Sequence, residues 1–126
     1  MSIKVLVAAA SPIRDSLLVV LKSMKDIQVV DIAADTALAL MMMRETSPSL
    51  ILVDAGLAEG AFELVRQIKQ EDHLTKCIVL VDRVEQHRLA VEAGANGVLF
   101  KGFSVAQLRE MVAHLYPENF EKNGYA

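Results

Sequence analysis

Leu50-Ile51-Leu52-Val53-Asp54 is the stretch that decides the fold of this chain. Its four apolar residues lie between Ser47-Pro48 and Gly56-Leu57. A short apolar run bounded by turn residues is the pattern of a strand buried on both faces. Asp54 ends the run, so the strand hands one carboxylate to a loop at its C-terminal end. In an open parallel sheet that end is where ligands bind and chemistry is done.

Outward from this strand, short apolar runs alternate with helical patterns. Residues 3–8 form a predicted strand, and Ser11-Pro12 then opens a helix, with serine as cap and proline in the first turn. Ile13, Leu17, Val20, Leu21 and Met24 follow helical spacing. Residues 27–33 are a second strand, after which Asp35 caps the next helix. Residues 61–70 read as a helix with Phe62, Val65 and Ile68 inward, 77–81 as a fourth strand, and 84–93 as a further helix. Gly94-Ala95-Asn96-Gly97 is a turn into a short strand over 98–100. Ser104 caps the last helix, Gln107 completes a capping box, and the apolar stripe is Val105, Leu108, Met111, Val112 and Leu115.

Continuous apolar strands alternating with helices predict one α/β domain over residues 1–116. The expected architecture is a flavodoxin-like doubly wound (βα)5 fold with a parallel five-stranded sheet in the order 2-1-3-4-5. Residues 117–126 are expected to be a flexible tail or linker stub. The strand order sets the first and third strands side by side, so Ala9, Ala10 and Asp54 are expected to line one crevice.

Composition narrows function by exclusion. A length of 126 residues suits a single core. A net charge of −3 lacks the basic footprint of a nucleic-acid binder, so no direct contact with DNA or RNA is expected from this domain. Cys77 is the single cysteine, which excludes an internal disulfide, and it reads as inert core. His73, His87 and His114 stand in separate segments and do not suggest a shared metal. No apolar stretch approaches the roughly 20 residues that span a bilayer. No secretory signal is recognisable either, so a cytoplasmic location without membrane contact is expected. No glycine-rich phosphate loop follows the first strand, which disfavours a flavodoxin-like small-ligand binder or enzyme.

Pro48-Ser49-Leu50-Ile51-Leu52-Val53-Asp54 resembles the phosphoacceptor strand of bacterial response-regulator receiver domains. Gly94-Ala95-Asn96-Gly97-Val98-Leu99-Phe100-Lys101 resembles their final strand and its lysine. The opening Val5-Leu6-Val7-Ala8-Ala9-Ala10-Ser11-Pro12 has the same frame, with alanines where the family has two acidic residues. Gly102 after the lysine, together with the Gly-Ala-x-Gly turn, resembles receivers attached to LuxR-type DNA-binding domains.

The resemblance implies that Asp54 holds the phosphoacceptor position and Lys101 its cationic partner. A carboxylate attacks a phosphodianion only when a magnesium ion neutralises the developing charge. Magnesium takes carboxylates, carbonyl oxygens and waters. Ala9 and Ala10 offer backbone oxygen alone, so no metal site is expected beyond a weak Mg2+ site at Asp54 and the carbonyl near Gly56, and no other cofactor. The hydroxyl that ends the family's fourth strand is replaced by Val81, and the aromatic residue of its switch by Val98. Asp82 stands where the family has a small residue. Three readings of it stay open: a solvated loop aspartate, a pocket carboxylate that repels further negative charge, or a replacement metal ligand. Lys101 is expected to form a standing ion pair with Asp54. The Lys101–Gly102 bond is open, since a cis form without proline costs about 3–4 kcal/mol.

The expectation is a degenerate receiver, or pseudo-receiver, of a two-component phosphorelay: a regulatory domain rather than an enzyme, with no firm catalytic residue. It would act through protein contacts, regulating a DNA-binding output domain, with a histidine kinase as a further partner. The alternative is a working phosphoacceptor Asp54 with a poor magnesium site. Ala37-Leu38-Ala39-Leu40-Met41-Met42-Met43 exceeds the stripe a surface helix needs, so Met41, Met42 and Met43 are candidate contacts for a partner or a second copy. Arg88 and Arg109, with Glu92 and Glu110, mark the commoner receiver interface around the last helix and the strand before it.

Overall fold

The computed structural model describes residues 2–57 and 60–120. Strands and helices alternate throughout: β1 (Ile3–Ala8), α1 (Ile13–Lys22), β2 (Ile27–Ala33), α2 (Thr36–Thr46), β3 (Leu50–Asp54) and α3 (Ala61–Glu71). The second half continues with β4 (Lys76–Val81), α4 (Val84–Ala93), β5 (Gly97–Phe100), α5 (Val105–Leu115) and the short α6 (Pro117–Phe120). The five strands form one sheet in the order β2-β1-β3-β4-β5. Every pairing is parallel. This is the expected flavodoxin-like fold.

Side-chain alternation along each strand divides the core into two layers. Leu6, Ile51, Val53, Cys77, Val79 and Val81 face one way and pack with buried residues of α2, α3 and α4. Val5, Val7, Leu50, Leu52, Ile78 and Leu80 face the other way, toward α1 and α5. Two-sided burial explains why these strands read as continuous apolar runs.

Helix ends are mostly where local chemistry demands. Asp35 Oδ1 accepts the Leu38 N–H, and Ser104 Oγ accepts the Gln107 N–H while Gln107 Oε1 accepts the Ser104 N–H. The expected Ser11 cap is not formed. Pro12 takes the cap position of α1, and the Ser11 hydroxyl instead donates to Asp15 Oδ2 at 3.4 Å. In α3, Val65 and Ile68 are fully buried as expected, Phe62 is half-buried against the same layer, and Ala61 and Leu64 widen the inward stripe. Val105, expected inward, is exposed at the start of α5.

Gly97 begins β5 one residue early. A Cβ there would lie 2.5 Å from Met111 Sδ, so any larger residue would oblige the Met111 side chain of α5 to move. At its far end α5 is fastened by the Tyr116 hydroxyl, which donates to the Ser49 carbonyl, and by Lys76 Nζ, which donates to the Leu115 carbonyl, both at 2.7 Å. Residues 117–120, expected within the tail, form α6, and residues 121–126 lie outside the described residues. Among the described residues, no helix is long and apolar enough to cross a membrane.

Candidate functional site

Asp54 ends β3 opposite Leu80 of β4, at the C-terminal edge of the sheet. Its side chain is 7% exposed. Oδ1 accepts the Gly56 N–H at 2.9 Å and stands 2.6 Å from Lys101 Nζ. Lys101 follows β5, where its N–H donates to the Val81 carbonyl at 2.8 Å and so extends the pairing of β4 and β5 to the rim of the sheet. The same ammonium donates to Asp82 Oδ2 at 3.1 Å. Asp82 is held in turn by Gln86, whose Oε1 accepts the N–H groups of Asp82 and Arg83 at the start of α4.

One ammonium therefore joins two carboxylates. Burial by itself lowers the Lys101 pKa. Hydrogen bonds to Asp54 and Asp82, with the attraction of both charges, outweigh it and hold the pKa above the ordinary lysine value. The lysine is a fixed cation at neutral pH. The expected Asp54–Lys101 pair is present, and Asp82 enters the cluster through Lys101, with its side chain half exposed.

Above Asp54 opens a cleft of about 410 Å³, lined in part by Ala10, Ser11, Ser16, Gly56 and Lys101. Ala10 and Asp54 share it as expected. Ala9 does not: it is fully buried in the layer of α1 and α5, with Ile13 packed against the same cluster. Val81 is likewise fully buried in the opposite layer, and Val98 packs against that layer. Ser16 and the Gly56 N–H were not singled out by the sequence. Gln86 carries a usable signal, a glutamine three residues after the helix cap.

The donor set fits magnesium poorly. Among the described residues Asp54 is the one carboxylate lining the cleft, and its Oδ1 already meets an ammonium and an amide N–H. Ala10 contributes a methyl group. Among the described residues no group of three His, Cys, Asp or Glu side chains could hold a metal ion.

The remaining candidates are dispersed. Of the three methionines, Met41 is exposed, Met42 is half-buried and Met43 is buried in the core layer of α2. Helical spacing turns Met42 and Met43 toward the sheet, which removes Met43 from any contact surface. Arg88 pairs with Glu92 one turn on, at 2.9 Å. Burial pushes the Cys77 thiol up to about 12, consistent with inert core. The Lys101–Gly102 bond is trans, Ser11–Pro12 being the cis peptide among the described residues. Gly102 adopts φ +94°, a value closed to proline, whose ring fixes φ near −65°.

Comparison with known proteins agrees with this fold. The family model for the response regulator receiver domain matches residues 5–113. The chain belongs to the receiver-domain family of two-component response regulators. A LuxR-family two-component response regulator from Aurantimonas sp. superposes with a TM-score of 0.82 at 27% identity, covering 91% of this chain and 86% of that one. A DNA-binding response regulator of the LuxR family from Staphylococcus aureus gives 0.79 at 18% identity, over 89% and 97% of the two chains. The signal receiver domain of the putative response regulator NarL from Mycobacterium tuberculosis gives 0.81 at 20% identity, over 90% and 94%. No curated protein sequence matches the chain.

Proposed function

We propose that this receiver regulates through standing protein contacts, with its phosphorylation pocket degenerate. The observation that carries the reading is the Asp82–Lys101–Asp54 cluster facing Ala10 across the cleft. Phosphoryl transfer to Asp54 needs a divalent cation beside it. The position from which a carboxylate would attract that cation holds a methyl group, and Asp82 adds negative charge on the far side. Burial of Val81 without a hydroxyl removes the donor that would register a phosphoryl group.

Control then passes to whatever the domain touches. An output domain is the natural partner, and a DNA-binding one follows from the likeness to LuxR-family receivers. Two readings of a cognate histidine kinase remain distinct. In the first, kinase contact occurs without phosphotransfer; in the second, Asp54 is a slow phosphoacceptor, favoured by the cleft that leaves the carboxylate reachable. Incubation with a small-molecule phosphodonor and magnesium, followed by intact mass, separates them. The proposal expects no gain of a phosphoryl group. A stable gain that disappears in Asp54→Asn overturns it.

A further inference from the structure

Among α1–α5, α4 has the smallest buried side chains. It buries Ala90 and Ala93, whereas α1 buries Leu17 and Leu21, α2 buries Met43, α3 buries Leu64, Val65 and Ile68, and α5 buries Leu108 and Val112. Val84 and Val91 of α4 are 74% and 55% exposed. Two alanine methyl groups remove little apolar area from water, so burial alone holds this helix weakly.

The first turn of α4 is fastened instead to the end of β5. Asp82, two residues before the helix, receives the Lys101 ammonium at 3.1 Å. His87 stacks on Phe100 with ring centroids 5.9 Å apart and planes 15° from parallel, the geometry of a favourable aromatic pair. Phe100 and Lys101 are consecutive, so the two contacts grip neighbouring residues. Gln86 Oε1 accepts the N–H groups of Asp82 and Arg83 at 2.7 and 3.2 Å, which ties the gripping carboxylate to the helix it precedes. The strand end is itself firm, because Phe100 is in register with Val81 and the Lys101 N–H donates to the Val81 carbonyl.

We infer that Asp82–Lys101 and His87–Phe100 form a latch, which holds the first turn of α4 against β5 and whose release lets α4 open as a local unit ahead of the rest of the fold. Segments with few buried apolar contacts open at the low end of a protein's range of local stabilities. While the latch is shut, Val84 and Val91 keep one presentation. The latch is additional to the phosphate-independent reading and independent of it, since its test uses no phosphodonor.

Hydrogen exchange of individual amides in the full chain, followed across a series of low urea concentrations, separates local opening from global unfolding. Only the latter exposes enough surface to respond steeply to urea. In the wild type, the amides of residues 88–93 are expected to exchange faster than those of β3 and α3, with little response to urea. Asp82→Ala and His87→Gln should each speed this urea-insensitive exchange about two- to fivefold, the scale of one exposed ion pair or ring contact, and together about tenfold. His87→Tyr, which keeps a ring over Phe100, should hold the wild-type rate. Residues 88–93 exchanging only together with β3, at the same steep urea dependence, would show no separate unit and overturn the inference. So would an unchanged rate in either single variant, or a loss of protection in His87→Tyr as large as in His87→Gln.

Discussion

On the β1–α1 rim of the crevice stand Ala10 and Ser11, neither of which carries a charge. On the β4–β5 rim stand an ammonium and a second carboxylate, 2.6 and 3.1 Å apart from their partners along one chain of contacts. The first rim has no charged side chain with which to attract a cation. The second already supplies one, covalently attached and held by the pairing of β4 and β5. The two rims teach that a receiver fold can retain its acidic position with the charge balanced internally. The counter-ion to Asp54 stands on the β4–β5 rim, in Lys101.

The largest expected effect comes from removing that counter-ion. Lys101→Ala leaves Asp54 buried beside no cation, and urea unfolding should show a loss of about 3 kcal/mol, near the lower end for an unpaired buried charge. Because the folded-state pKa of Lys101 is raised, its stabilisation is complete below the unfolded value of about 10.4 and is lost as pH rises through the folded one. The gap between wild type and Lys101→Ala should therefore persist at neutral pH and close only in strongly alkaline solution. A gap that closes between pH 7 and 9 would remove the paired lysine from the account.

Restoring an anion to the empty rim should have the next largest effect. Ala10→Asp places a carboxylate on the same cleft as Asp54, and calorimetry should register magnesium binding at least about tenfold tighter than wild type, since ligand charge governs affinity for hard cations. Equal affinities would mean that the β1–α1 rim is not what limits the site. The smallest effect belongs to Asp82→Asn. Its pair with Lys101 is half exposed on the aspartate side, so a loss of about 0–1 kcal/mol is expected by urea unfolding. A loss as large as that of Lys101→Ala would make Asp82, not Asp54, the main partner.

Much of this was legible in the sequence because two-sided burial writes itself as unbroken apolar runs. The strands and their order followed from such runs, and Asp35 and Ser104 announced two helix starts by their side-chain chemistry. Ser11 misled for a physical reason: a serine hydroxyl can bond a nearby carboxylate as readily as a backbone amide, and Asp15 took it. Ala9 and Ala10 are adjacent in sequence, yet one is core and the other lines the cleft. Only the cover of the α1 layer tells them apart. The resemblance named Asp54 and Lys101, which lie in contact, but the contact of Asp82 with the same lysine depended on a side-chain distance that no spacing encodes.

The most direct test of the central claim is the amide spectrum of the protein with and without beryllofluoride and magnesium, which together mimic a phosphoryl group on a carboxylate. A pocket whose charge is balanced internally predicts unchanged resonances at Asp54, Val81, Asp82 and Lys101 at millimolar reagent. Saturable shifts at those positions, spreading into α4 and β5 and absent in Asp54→Asn, would contradict it.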